Sequence, residues 1–185
     1  MVELLMALAL TTFLLAALSF GMHASFKTYD KNGESAEVTH TARVVITRMI
    51  SEIRTADSIT VNPDGTHLTI VPPVPIVVST STVTKIEYEF VTATTGNTLF
   101  YKQTLGDGTV TSNVLMGPTD NVAIDRFTVT TDLLTKLDSG GNIVNVQDSL
   151  GNNIVRNATV SLLIGCGGEV QPHRVSVAPR RVQIF

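Results

Sequence analysis

The chain opens Met1-Val2-Glu3-Leu4-Leu5-Met6-Ala7-Leu8-Ala9-Leu10-Thr11-Thr12-Phe13-Leu14-Leu15-Ala16-Ala17-Leu18-Ser19-Phe20-Gly21-Met22-His23-Ala24-Ser25-Phe26, and Glu3 is the one Lys, Arg, Asp or Glu in it. At ~1.5 Å per residue the uncharged run from Leu4 to Phe26 is long enough to cross a bilayer as a helix. A secretory signal peptide is the competing reading, since Ala16-Ala17-Leu18-Ser19 supplies small residues for cleavage. Such a peptide wants Lys or Arg ahead of its apolar stretch, where this chain has only Glu3, and its apolar stretch is shorter than this one.

The helical pattern continues past Phe26. Val38, Ala42, Val45, Met49, Ile53 and Ala56 recur at three- and four-residue steps, while Arg43, Thr47, Arg48, Ser51, Glu52 and Arg54 fall mostly on other faces. The segment reads as an amphipathic helix ending near Asp57. A helix from the start to that point would be on the order of 80 Å long, more than a compact domain of this size can bury, so its N-terminal half is expected to project. Gly21 and Gly33 each cost roughly 1 kcal/mol relative to Ala inside a helix. Two readings stay open for them: a bend or melted stretch that gives the helix flexibility, or close packing with at most a short break at Asn32-Gly33.

The rest of the chain has a different composition, rich in Thr, Val, Asn and Gly, as short strands joined by turns require. Asn62-Pro63-Asp64-Gly65 ends the helical region as a turn. Thr66 to Val71 alternates and predicts a strand, and Pro72, Pro73 and Pro75 predict an extended, poorly paired connection after it, an edge or a loop. Lys85-Ile86-Glu87-Tyr88-Glu89-Phe90 alternates strictly between charged and apolar residues, and Leu99 to Gln103 answers it across Thr94 to Thr98 as a hairpin. Val122 to Asp132 predicts a strand with a bulge or change of face. Asn157 to Ile164 and His173 to Ala178 predict a last pair, turned by Gly165-Cys166-Gly167-Gly168. The expected fold is α+β: a mainly antiparallel sheet whose apolar face is covered by the amphipathic helix. It divides into residues 1–26, an apolar membrane or filament-core half of the helix; 27–58, the half packed on the head; and 59–185, a β-rich head.

Composition narrows the chemistry. The 185 residues are 43% hydrophobic and 16% charged, with a formal charge of −3. Such a chain is too apolar for disorder and has no overall attraction to a phosphate backbone, so nucleic acid is not an expected partner. Cys166 is the single cysteine, which leaves neither an internal disulfide nor a thiol cluster for zinc. His23, His40, His67 and His173 are scattered without ligand spacing. Asp138, Asn142, Asn145 and Asp148 offer oxygens in a Gly-containing loop, but without the EF-hand spacing or its terminal Glu, so they are weak candidates for a metal. No His neighbours Cys166 in sequence, and no nucleophile elbow or Gly-rich phosphate loop occurs. No enzymatic activity and no cofactor are expected. Asn157-Ala158-Thr159 matches a glycosylation acceptor.

Met1-Val2-Glu3-Leu4-Leu5-Met6-Ala7-Leu8-Ala9-Leu10 resembles the start of the class III signal segment of type IV pilins and type II secretion pseudopilins. In that family a single glutamate stands at the fifth position of the mature apolar helix. Here it is third, so on the simplest account Met1 aligns with the family's third mature residue, and two mature residues and the leader are missing from this sequence. Arg48-Met49-Ile50-Ser51-Glu52-Ile53-Arg54, Ile86-Glu87-Tyr88-Glu89-Phe90, Leu99-Phe100-Tyr101-Lys102 and Val177-Ala178-Pro179-Arg180-Arg181 are more weakly similar to minor pilins and pseudopilins of the J or W type. The resemblance implies a pilin-like lollipop, assembly contacts at Glu3, Met1, Leu4, Leu5 and Leu8, and identical subunits as partners in a helical homopolymer. It also implies residence in the inner membrane before assembly, a pilus or secretion assembly machinery with its own cytoplasmic ATPase, and a final place in an extracellular surface filament. Some pseudopilins bind calcium in a C-terminal loop, which implies that ion as the one cofactor to consider.

Glu3 itself has two readings. It is a solvated acid at a helix start, favoured by the macrodipole, or it pairs with the terminal amine of a neighbouring copy in a low-dielectric bundle, where the pair sets the register. The resemblance favours the second. Three other functions stay open: a minor pseudopilin at a filament tip, an anchored periplasmic module recognising ligands through Pro72 to Ser81 or Lys136 to Asn153, and an anchored hydrolase, for which no nucleophile or acid pair speaks.

Overall fold

The structure is a computed structural model and describes residues 1–73, 76–78, 81–118, 122–147, 153–166 and 169–179. A single helix, α1, runs from Val2 to Thr55. Its first turn carries Glu3 and its last turn Arg54, each with the charge that suits its end of the helix dipole. Eleven strands follow. The chain forms two compact units, Met1–Glu37 and Val38–Phe185.

In the first unit the helix runs unbroken through both Gly21 and Gly33. A Cβ at either glycine would meet nothing within 4 Å.

In the second unit the helix turns Val38, Ala42, Val45, Ile46, Met49 and Ile53 into the core. These include every helical position predicted from the three- and four-residue spacing, and Ala56 just beyond the helix is buried with them. Ile46 joins them because it neighbours Ala42 and Met49 on the same face. The helix exit is fixed where the Asp57 N–H donates to Val71 O at 2.8 Å.

Two sheets share that core. The larger has the order β1-β2-β4-β5-β6, with β3 added on β4. Its strands are β1 (Ser58–Val61), β2 (His67–Val71), β3 (Ile76–Val78), β4 (Ser81–Val91), β5 (Thr98–Leu105) and β6 (Val110–Met116). The predicted hairpin is β4–β5, which places Tyr88 opposite Tyr101 and Glu87 opposite Lys102. The smaller sheet has the order β11-β10-β7, formed by β7 (Ala123–Leu133), β10 (Val155–Cys166) and β11 (Glu169–Val177). The bulge expected in the Val122 to Asp132 strand is real: the register with β10 shifts between Leu163 and Ile164. A two-stranded hairpin, β8 (Thr135–Leu137) and β9 (Ile143–Asn145), stands apart from both sheets. Buried Leu68, Ile70, Ile86, Tyr88, Leu99, Ile124, Phe127, Val129, Val160 and Leu162 pack with the helix face into one cluster.

The α+β class and antiparallel pairing therefore agree with the sequence reading, and three details are added or corrected: β1, β6 and the β8–β9 hairpin. Strand β1 precedes the Asn62 to Gly65 turn, so Thr66 to Val71 begins as the second arm of a hairpin. The Pro72 to Ser81 connection, expected as an edge or a loop, contains the edge strand β3, paired with the start of β4. Strand β6 and the β8–β9 hairpin carry no strict alternation and were not predicted. Pro75, Gly167, Gly168, Arg180 and Arg181 lie outside the described residues.

The two sheets meet at the Asn62 to Gly65 turn. Asn62 Oδ1 accepts the His67 N–H at 2.9 Å, and the Gly65 N–H donates to Asn62 O at 2.9 Å. Gly65 has φ +71°, and a Cβ there would lie 2.8 Å from Val129 O. Gly65 O in turn accepts the Val129 N–H at 2.7 Å. A side chain is excluded because the backbone of β7 fills its place.

Candidate assembly surface

Every large apolar side chain from Met1 to Phe26 is at least 58% exposed. They are distributed around the whole helix, with Leu4, Leu5 and Leu8 near the start and Phe13, Phe20 and Phe26 further along. A continuous apolar surface of this extent is unstable in water and marks a segment that belongs in lipid or against protein. Among the described helices α1 alone is long and apolar enough to span a bilayer, a property of length and composition only.

Several hydroxyls in and just after this run bond within the helix. The Thr11 hydroxyl donates to Ala7 O at 3.0 Å and the Thr12 hydroxyl to Leu8 O at 2.9 Å. Ser25 and Thr28 do the same to Gly21 O and Ala24 O, both at 2.9 Å. Internal satisfaction of this kind is what an apolar environment demands of Ser and Thr. Glu3 stands out against them as the acid of the first turn, exposed like its neighbours. Met1 O accepts the Leu5 N–H at 3.3 Å, so Met1, Glu3, Leu4, Leu5 and Leu8 all belong to the first turns of one helix.

Leu14, Ala17, Leu18, Gly21, Met22 and Ser25 line a shallow depression. Among the residues lining it, Ala17, Gly21 and Ser25 are small and four residues apart, the spacing that lets helices in apolar surroundings approach closely. The sequence reading noticed Gly21 for its helix cost and missed this pattern; the signal was the four-residue repeat of small residues.

In the second unit the helix is tied to the sheet by a polar cluster. The Tyr88 hydroxyl donates to Glu52 Oε2 at 2.5 Å and the Tyr101 hydroxyl to Glu52 Oε1 at 3.3 Å. Arg48 Nε donates to the same Oε1 at 3.2 Å, and its guanidinium lies 3.8 Å from the centre of the Tyr101 ring. Gln103 Nε2 donates to the Tyr101 oxygen at 2.8 Å. Burial first, and then the Glu52 carboxylate, pushes both tyrosine hydroxyls above their ordinary range. Burial works against the Arg48 charge, but its bonds to Tyr101 and Glu52 outweigh that and raise its pKa further. On the opposite face of the sheet Glu87 binds His67 Nε2 at 3.0 Å and Lys85 at 3.2 Å. These partners outweigh its burial and hold its carboxyl below the usual range.

The remaining candidates are not brought together. Asp138 Oδ1 accepts the Gly140 and Asn142 N–H groups, both at 2.8 Å, and Oδ2 accepts from Asn142 Nδ2 at 3.3 Å. Those bonds lower its pKa and employ the carboxylate in building the β8–β9 turn. Asp148 lies outside the described residues. Among the described residues no three His, Cys, Asp or Glu side chains converge as metal ligands would. Asn157 lies half-buried within β10, opposite Asp132, rather than in an exposed loop. Cys166 ends β10.

No family model matches the chain, and neither does any curated protein or solved structure.

Proposed function

We propose that this chain is a structural subunit of a type IV pilus-like filament. On this reading it is held in the inner membrane by residues 1–26 and polymerises through them into a surface fibre, with no catalytic role. The observation that carries the reading is the wholly exposed apolar surface of Met1 to Phe26 with a single carboxylate at its start. Lipid tails and a bundle of like helices are similarly apolar, so transfer between them supplies little driving force. Register must then come from packing and from specific pairing. Glu3 against the terminal amine of a neighbour supplies the pairing, and the Ala17, Gly21, Ser25 depression supplies close approach. The lollipop arrangement of the family, with the first unit in the fibre core and the second on its surface, belongs to this proposal. So does the part played by an assembly machinery.

The test is electron microscopy of sheared surface material from cells producing the wild-type chain and Glu3→Leu. Wild type is expected in fibres. Glu3→Leu is expected in the membrane fraction at normal level, with fibres lost. Normal fibres from Glu3→Leu would remove the assembly role of the acid. Wild-type protein found in the membrane but never as the bulk of a fibre would favour a tip subunit or an anchored module instead.

A further inference from the structure

Most edges of the sheets are guarded against pairing with a foreign strand, and one is not. β11 carries Pro172 in mid-strand together with Arg174, β1 is four residues long, and β3, β8 and β9 are three each. β7 has Asp125, Arg126 and Asp132 along its length, and its Val129 N–H is taken by Gly65 O. Short strands, charges, Pro and cover are the ordinary protections of an edge. β6, Val110-Thr111-Ser112-Asn113-Val114-Leu115-Met116, has no charge, Pro or cover among the described residues, and its one irregularity, a bulge at Leu115, lies at its far end and leaves Val110 to Val114 regular. It ends the larger sheet among the described strands, its first five residues are all exposed, and Val110 and Val114 are 56% and 57% exposed.

The phase of the strand follows from its hairpin. The Leu105 N–H donates to Thr109 O at 2.8 Å, and the register pairs Gln103 with Thr111 and Tyr101 with Asn113. Residues in an antiparallel ladder alternate between facing the partner strand and facing away. Thr111 and Asn113 therefore direct their backbone groups to β5, and Val110, Ser112 and Val114 direct theirs outward.

We propose that this edge pairs with β6 of a second copy of the chain, antiparallel about a two-fold axis at Ser112. The sequence around Ser112 is what selects a second copy as the occupant. In that register Val110 lies opposite the partner's Val114, Ser112 opposite the partner's Ser112, and Thr111 opposite the partner's Asn113. From Val110 to Val114 the cross-strand pairs match in polarity, no charge faces another, and the three outward residues on each side exchange about six backbone hydrogen bonds. A two-fold contact closes on itself and does not propagate. It joins two subunits rather than building a fibre, and it does not depend on the filament reading.

The test uses the full chain purified in detergent. Ser112→Cys in a Cys166→Ser background places two thiols opposite each other at a separation a disulfide tolerates. Mild oxidation is expected to convert most of it to a covalent dimer, while Asp107→Cys in the same background stays monomeric. Ser112→Pro removes an outward N–H and no bond to β5. It is expected to weaken the dimer measured by sedimentation by about tenfold or more, with an unchanged circular dichroism spectrum. Val110→Lys is expected to do the same by setting a charged side chain opposite the partner's apolar Val114, and serves if the proline variant fails to fold. Equal cross-linking of Ser112→Cys and Asp107→Cys, or a Ser112→Cys protein that sediments as a monomer and resists cross-linking, would overturn the proposal. A dimer that survives both edge variants would assign association to the apolar helix and overturn it equally.

Discussion

At the scale of single residues, two glutamates on one helix have opposite surroundings. Glu3 is exposed at the helix start, whereas the Glu52 side chain retains only 16% exposure and accepts from Arg48, Tyr88 and Tyr101. Tyr88 is fully buried, so removing its acceptor leaves a hydroxyl with nowhere to turn. Glu52→Ala is expected to destabilise the β-rich unit by about 1–3 kcal/mol, the cost of an unsatisfied buried polar group. Tyr88→Phe deletes the hydroxyl, and in the double variant the two losses should sum to less than their separate values. Urea unfolding of the four proteins measures this; strict additivity would mean that the 2.5 Å bond contributes nothing net. The sequence placed Glu52 off the buried face of the helix, and only the register that sets Tyr88 beside Tyr101 shows what it binds.

At the scale of elements, the turn before β2 matters more than its length suggests. The Gly65 backbone bonds β7 through the Val129 N–H, so one turn positions one sheet against the other. Gly65→Ala meets both a strained positive φ of +71° and Val129 O at 2.8 Å. A loss of about 1–3 kcal/mol is expected, with thermal unfolding as the readout; Gly108→Ala, where a Cβ meets nothing within 4 Å, isolates the backbone part. Wild-type stability in Gly65→Ala would mean that the junction yields freely. The Asn-Pro-Asp-Gly composition announced a turn, but its contact with β7 joins residues far apart in sequence and left no local trace.

At the scale of the whole molecule, burial and charge divide along the chain. No residue before Val38 is buried, so deleting 1–26 removes no core side chain. The truncated protein is expected to be soluble and folded, with the wild-type unfolding midpoint within about 1 kcal/mol. Aggregation would mean that the apolar helix supports the rest. Stability of the β-rich unit should also fall at both ends of the pH scale. The Glu87 carboxyl is lowered in the folded state, so the stability it contributes is present above its unfolded value and is lost as acidification passes the folded one. The Tyr88 and Tyr101 hydroxyls are raised from 10.0. Their contribution is whole below that pH and drains away above it, as the unfolded chain ionises while the folded one does not. Urea midpoints across pH should show both slopes, with the acid slope smaller in Glu87→Gln and the alkaline slope smaller in Tyr88→Phe.

The sequence by itself determined the helix, its buried face, the β4–β5 hairpin and the β10–β11 pair, because each rests on periodicity within a few residues of chain. It also showed that residues 4–26 form an uncharged, apolar run long enough to span a bilayer as a helix. Only the tertiary structure decided that Glu52 holds two tyrosines, that Gly65 supports β7, and that β6 is left as an open edge. Those outcomes depend on which strand lies beside which, and strand order is set by packing over distances that no local pattern encodes.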